Sequence, residues 1–578
     1  MVRPIAPHAA LVVLVAAACA CSRSPKPDAS GDAGTGPEAA LVTGSEPAMA
    51  PPSSDAPRLG VLAMQVYIHD RPAGASRRIG YLRLGAKVVR EASPAGSDGC
   101  AGGWYRIYPR GYVCNGETTT LDLTHPLLRA STVRPDLTKP LPYKYGFIRA
   151  VSPLYLKVPN RKEQVAAEFG LDLHLEWWRS DEGKASNDVV LGANDVPIDA
   201  RGVAIPGGVL GSQGKKSTDM VQGELFGGTS DTEPPPFWLV GANYDRAIPN
   251  VSGFQVPPKS VFANRVRRHS GVSFIGSFPT GDDAFSRRFA ITTDLRLVPT
   301  SKVKPDTAST WHGIEITDAL PLPFGWVRNS MKSVPVYRLN GSRPQKTDEK
   351  VERRALVRFS GNVQKTKDGL FRETIDGKWF KASDLGVVAM PTEWPPIAST
   401  GEKWIEVSID NQTLVLWEGK RPVYATLVST GQDGMEHWKT SKATIRGTFR
   451  IRHKHVTTTM DSSGASAEGS NDGSTNPVVE REVPSKDGSK DDGKSKKGAG
   501  AFELRDVPWV QYFEDAYAIH AAYWHDVFGV ARSHGCINLS PVDAHRVFGW
   551  TDPPVPAEWH GVMAKTDTNP GTTIVVHR

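Results

Sequence analysis

Tyr517-Ala518-Ile519-His520-Ala521-Ala522, followed by Arg532-Ser533-His534-Gly535-Cys536-Ile537-Asn538-Leu539, is the stretch on which the reading of this chain turns. A cysteine thiol, with a reference pKa near ~8.5, needs a base or a positive field before it becomes a nucleophile. Histidine is the usual base near neutral pH. His534 is two residues from Cys536 and, in an extended stretch, points to the same side, but a close sequence neighbour is poorly placed for in-line proton transfer. His520 ends an expected strand over Asp515 to Ile519 and reaches Cys536 from a neighbouring strand, so it is the expected base. The N–H groups of Gly535 and Cys536 are the expected oxyanion donors, because glycine lets backbone approach an attacked carbonyl. Ser540-Pro541-Val542-Asp543 then reads as N-cap, first-turn proline and first-turn acid of a helix through Val547 and Phe548 to Gly549.

Outward from this stretch, a β-rich domain is expected over 402–578. Ile405, Val407 and Ile409 alternate with polar residues, Thr413 to Trp417 gives a second strand, and Val423 to Val428 a third. Thr573-Ile574-Val575-Val576 closes the domain. From about 461 to 500 the chain is rich in Ser, Gly, Asp and Lys and low in apolar residues, which predicts a disordered surface insertion.

Ser533-His534-Gly535-Cys536-Ile537-Asn538, with His520 upstream, resembles the signature of the L,D-transpeptidase catalytic domain. Thr444-Ile445-Arg446-Gly447-Thr448-Phe449 resembles a second family strand, with Ile445 in place of its proline. The resemblance covers the last third of the chain. It implies a β-sandwich with a short helix after the catalytic cysteine, and peptidoglycan stem peptides as substrate. It implies Cys536 as nucleophile, His520 as proton donor and acceptor, His534 and Ser533 as further catalytic-site residues, and Asn538 and Arg532 at the substrate. The Ala521 carbonyl would orient the histidine, and Tyr512 is the candidate for a family tyrosine at the oxyanion site. No metal and no cofactor is implied.

Four other readings stand beside this one. His520, His525, His534 and Cys536 are all possible zinc ligands, but no usual ligand spacing is present. Cys536 as a buried small hydrophobe sits poorly between a glycine and a capped helix. The same acyl-enzyme resolved by water makes an L,D-carboxypeptidase, and attack on an existing cross-link makes an endopeptidase. A non-catalytic wall-binding lipoprotein is the alternative from a different class. His525 and His545 carry no expectation beyond packing or surface roles.

At the N-terminus, Arg3 precedes the apolar run Leu11 to Ala18, too short to span a bilayer, so 1–18 reads as an export signal. Small residues before Cys19 resemble a lipoprotein processing site, with Cys21 and an ordinary cleaved signal as alternatives. Lipidation at Cys19 would anchor the protein in a membrane; by resemblance to other lipoproteins, Ala20 after it favours a periplasm-facing place on the outer membrane. Residues 19–57 are rich in Pro, Gly, Ser and Ala and predict a flexible tether. Short alternating strands over 58–124 resemble a bacterial SH3-like domain, with Cys100 and Cys114 expected to form a local disulfide in an oxidising compartment.

An internal repeat is expected in the middle of the chain. Tyr145-Gly146-Phe147-Ile148-Arg149 is echoed by Phe324-Gly325-Trp326-Val327-Arg328, and Phe289 to Leu295 by Phe380 to Leu385. This predicts one β unit over 140–300 with a long insertion and a second, SH3-like, over 318–393, as spacers or wall-binding modules. The fold class is therefore mainly β and multidomain. With 578 residues, 39% hydrophobic and 23% charged, the chain is globular and too long for a single core. Its formal charge of +7 comes without a Lys/Arg run interleaved with aromatics, so no nucleic-acid partner is expected.

Overall fold

The computed structural model describes residue 49 and residues 51–181, 190–191, 197–198, 235–239, 251, 260–306, 308–328, 333–439, 441–461, 503–565 and 569–578. The expected export signal, Cys19, most of the expected tether and the expected insertion from 462 onward lie outside the described residues. So does most of the insertion in the first β unit. The described chain is mainly β with few helices, and no described helix is long and apolar enough to cross a membrane.

Residues 403–578 build two β layers around one apolar core. One layer is a six-stranded sheet ordered Ile314–Glu315, Arg421–Leu427, Thr413–Glu418, Lys403–Ser408, Thr573–His577, Gly447–Arg450. The last strand of the chain runs parallel to Lys403–Ser408, with Ile405 opposite Ile574. The other layer contains Gly561–Met563, His453–Asp461, Glu503–Glu514, Tyr517–Ala521 and Ile537–Leu539. Ile405, Val407, Leu414 and Leu416 meet Trp509, Phe513, Ile519, Ile537 and Leu539, with Val547 and Phe548 of the helix Pro541–Trp550 in the same core. Each such side chain contributes about 1.5–3 kcal/mol when fully buried.

The six-stranded sheet is apolar on both faces because alternate side chains of its strands face opposite ways. In Thr413–Glu418, Leu414 and Leu416 face the core just described, while Val415 and Trp417 enter a second cluster with Phe324, Trp326, Trp404 and Phe528. The second β unit covers that face. It is a seven-stranded sheet running from Phe324–Val327 to Leu385–Val388.

The two middle stretches share local hydrogen-bond patterns, and the second half matches up differently from the sequence expectation. Arg149 N–H donates to the Lys302 carbonyl at 2.9 Å, as Arg328 N–H does to Asp384 at 2.9 Å. Val303 pairs with Ile148 as Leu385 pairs with Val327. Thr292 Oγ1 binds Asp294 and takes the Arg296 N–H, as Thr374 Oγ1 binds Asp376 and takes the Lys378 N–H. Phe289 therefore corresponds to Phe371, not to Phe380. Similar Phe and Asp-Leu pairs one strand apart produced the wrong match.

The N-terminal region forms the strands Arg58–Val61, Val66–His69, Arg78–Leu82, Lys87–Val89, Trp104–Arg106 and Tyr112–Cys114. Their core (Leu59, Val61, Ile68, Leu82, Val88, Ile107) also takes in Trp559 and Val562 from the C-terminal region. A disulfide joins Cys100 and Cys114. Arg78–Leu82 pairs with Gly561–Met563, and Gly271 pairs with Leu504, so strands from three regions share one 16-stranded sheet.

Candidate active site

Strand Tyr517–Ala521, wholly buried, pairs in parallel with Ile537–Leu539, with His520 opposite Asn538 and Ile519 opposite Ile537. The strand extends past the expected end at Ile519, so His520 lies inside it. Alternation puts Ala518 and His520 on the face that carries Asn538, and Cys536 continues that face one position before the second strand. Cys536 and His520 are thus diagonal neighbours on adjacent strands.

The turn before the strand is laced by hydroxyls. Thr444 Oγ1 donates to the Gly535 carbonyl at 2.8 Å and accepts the Gly431 N–H at 2.8 Å. Ser533 Oγ donates to the Cys536 carbonyl at 2.5 Å and accepts the Gly535 N–H at 3.1 Å. The last bond corrects one expectation. The Gly535 N–H is spent within the turn, which leaves the Cys536 N–H as the candidate oxyanion donor of the expected pair. Gly535 has φ +130°, and a Cβ there would sit 2.8 Å from the Tyr517 ring, so this corner requires glycine.

Cys536 is the free cysteine of the described residues and is half-buried. Its Sγ lies 3.6 Å from the Ala516 carbonyl. Burial pushes the thiol up to about 11, with a backbone hydrogen bond from Ala518 opposing. Tyr512, opposite Ala518 in the ladder, packs with Cys536 against one apolar cluster. Its hydroxyl is held above the usual tyrosine range by burial and by the neighbouring Cys536.

His520 is 2% exposed, and its Nδ1 lies 3.1 Å from the Ala521 carbonyl. A carbonyl can only accept, so Nδ1 carries the proton and Nε2 keeps the lone pair that a base needs. Burial brings the ring down to about 4, against the opposing effect of that carbonyl. At neutral pH the resting pair is therefore a thiol and a neutral imidazole.

Of the other expected site residues, His534 is exposed, with Lys442 and Asp433 near it. Arg532 is half-buried, and its backbone N–H donates to Thr430 at 2.7 Å. Asn538 is 3% exposed, and its side-chain amide lies 3.1 Å from His525 Nε2. His525, expected to have no part, is buried against this residue. Asp543, expected as a first-turn acid, is fully buried. It accepts bonds from Gly313 N–H at 2.9 Å, Tyr424 at 2.6 Å, Thr426 at 2.6 Å and Ser540 at 3.0 Å. Among the described residues, no cluster of three or more His, Cys, Asp or Glu side chains is placed to hold a metal ion.

Cys536 thus stands one position before the strand that pairs with that of His520, whose ring is tethered to a backbone carbonyl. Residues 402–576 match the YkuD family, the L,D-transpeptidase catalytic domain, whose members are typically cysteine-dependent enzymes, and the chain carries that domain as its C-terminal part. No curated protein matches. Among solved structures, an L,D-transpeptidase from Mycobacterium smegmatis is similar at 16% identity and TM-score 0.20, over 43% of this chain and 78% of that one. The catalytic domain of an E. faecium L,D-transpeptidase is similar at 18% identity and TM-score 0.18, over 31% of this chain and 98% of that one. L,D-transpeptidase 3 from Mycobacterium tuberculosis is similar at 13% identity and TM-score 0.19, over 44% and 82%.

Proposed function

We propose that this protein is a peptidoglycan L,D-transpeptidase with Cys536 as nucleophile and His520 as the proton carrier. The observation that carries the reading is the pairing of Tyr517–Ala521 with Ile537–Leu539, together with the bond from His520 Nδ1 to the Ala521 carbonyl. Cys536 Sγ attacks the carbonyl carbon of the third residue of a stem tetrapeptide as its proton passes to His520 Nε2. The Cys536 N–H and the Tyr512 hydroxyl stabilise the oxyanion. Collapse breaks the amide bond to the terminal D-Ala, whose amine takes the proton from His520, and a thioester remains. An amine of a second stem attacks the thioester, gives its proton through His520, and restores the thiol. Ser533 holds the turn, and Arg532, His534 and Asn538 border the substrate. No metal or organic cofactor takes part.

The remaining parts of the reading concern place. Export, lipidation at Cys19 and a periplasm-facing position would bring the site to the wall, with the SH3-like 58–124 region and the two β units as spacers or wall binders. The Cys100–Cys114 disulfide fits an oxidising compartment. The test is incubation of the protein and Cys536→Ala with disaccharide-tetrapeptide, followed by mass spectrometry. Dimer with loss of D-Ala in the parent alone supports the transpeptidase. Loss of D-Ala without dimer makes it a carboxypeptidase, and no Cys536-dependent change returns the chain to a wall-binding role.

A further inference from the structure

We propose that the second β unit, 318–393, is a clamp on the catalytic histidine, and that Arg354 is a positioning residue acting on His520 through Asp526 and His525. The proposal rests on His520 being the base.

The chain after Ala521 leaves the sheet and returns only at Ile537. Its later part is held by the segment 428–432 of the catalytic domain, as in the Gly529 N–H bond to the Val428 carbonyl at 2.8 Å, while Asp526 is held from the second β unit. Arg354 grips Asp526 with a fork: Nη2 donates to Oδ1 at 2.5 Å and Nη1 to Oδ2 at 3.1 Å. Arg354 Nη2 also donates to the Asp526 carbonyl at 2.5 Å, and Arg353 donates to the same carbonyl. Ser309 donates to the carboxylate from the segment just before the unit. Three residues on, Gly529 gives its carbonyl to Arg328 Nη1 at 3.1 Å. Arg328 is anchored in its own unit, its Nε donating to Leu385 at 2.7 Å. Phe528 lies in one cluster with Phe324 and Trp326.

From Asp526 the path to the base is short. His525 is 1% exposed; its Nδ1 takes the Val527 N–H at 3.4 Å and its Nε2 faces the Asn538 amide at 3.1 Å. Asn538 is the ladder partner of His520. The Trp524 ring bridges the same gap, 5.6 Å from His520 and 6.2 Å from His525. Asp526 thus lies one residue from His525 and two from Trp524, whose ring packs on the imidazole.

Two features separate this from ordinary packing. Arg354 has φ +68°, a left-handed conformation disfavoured for a side chain of this kind, and it persists where its surroundings fix it. The ion pair is also nearly buried, with side-chain exposures of 13% for Arg354 and 3% for Asp526. Such a pair is weak evidence for stability, because desolvation offsets its attraction, and it has more value in fixing one geometry. A planar fork fixes orientation as well as distance.

The experiment uses the full chain with Arg354→Gln, Arg354→Lys, His520→Gln and the double variant R354Q/H520Q. Two readouts are taken: kcat and KM for D-Ala release from disaccharide-tetrapeptide, and the rate of Cys536 alkylation by iodoacetamide at pH 7. Arg354→Gln is expected to lower kcat and the alkylation rate by roughly 10-fold or more while KM changes less than about 2-fold, since Arg354 acts through Asp526 and not on the substrate. Arg354→Lys, keeping the charge without the fork, gives a smaller loss in both. The double variant is expected to be no slower than His520→Gln. Should R354Q not fold, as judged by its thermal transition, R354K with R354K/H520Q gives the same comparison. Additive losses in the double variant, an effect confined to KM, or no effect on alkylation would each overturn the proposal. Alkylation does not depend on the wall peptide, so a failure of turnover alone counts against the transpeptidase reading and leaves this test decisive.

Discussion

Asp506 in the catalytic domain accepts the guanidinium of Arg83, 423 residues earlier in the chain. The same carboxylate takes hydroxyls from Ser273 and, at 2.6 Å, Thr293 of the first β unit, and from Thr457 at 2.8 Å. Three regions therefore meet at one buried anion. Burial alone would raise the Asp506 pKa, but the Arg83 guanidinium and the hydroxyls hold it well below the usual carboxylate range. Asp506→Ala removes the carboxylate that offsets the buried Arg83 charge, and is expected to cost about 3–5 kcal/mol, read by denaturant titration. Because the folded pKa is depressed, this contribution is complete above the ordinary carboxylate range. It is lost as pH falls below that range toward the folded value.

The pH profile tests the neutral thiol–imidazole pair. With His520 brought down to about 4 and Cys536 pushed up to about 11, the reactive form spans the range between them. Turnover is expected to rise as pH passes about 4 and to show no inflection in the ordinary histidine range. Alkylation of Cys536 in His520→Gln should keep rising towards pH 11. An inflection near neutrality in the turnover curve of the parent would mean that an ion pair forms in the resting site.

Gly535→Ala adds a Cβ that meets the Tyr517 ring at 2.8 Å, at a φ of +130°. The turn must shift, and about 1–3 kcal/mol of strain is expected. Cys536 rides on that turn, so its alkylation rate should change along with the melting temperature. Unchanged alkylation in a folded G535A would show that the corner does not aim the thiol.

Tyr512→Phe removes only a hydroxyl from a ring packed with Cys536. If that hydroxyl stabilises the oxyanion, kcat falls by roughly 10²-fold with stability nearly unchanged. A parent-like kcat would leave the Cys536 N–H as the sole donor of the two.

Much of the domain was legible because its signals are local. The alternation from Ile405 to Val428 marks the meander, and Ser540 caps the helix through a bond to Asp543 N–H at 3.0 Å. The cysteine turn reads directly from its motif. Where tertiary structure decides, the sequence reading fell short. Asp543 has the position of a first-turn acid, and only the fold reveals that Tyr424, Thr426 and Gly313 converge on it. The Gly535 N–H was expected at the oxyanion, but Ser533 takes it. Arg353 and Arg354 look like ordinary surface charge until Asp526 arrives from 172 residues away. Likewise, nothing in the local pattern of Arg78–Leu82 announces Gly561–Met563 as its partner.

That last pairing limits how the protein can be dissected. A fragment beginning at residue 402 would retain the whole cysteine motif. It would also bare the flank of Gly561–Met563 that Arg78–Leu82 covers, and expose Trp559 and Phe528, which the N-terminal strands and the second β unit now bury. Unpaired ladder groups beside fresh apolar surface invite strands of other molecules to add on. A fragment from residue 402 is therefore expected to self-associate where the full chain does not, which light scattering of the two would show.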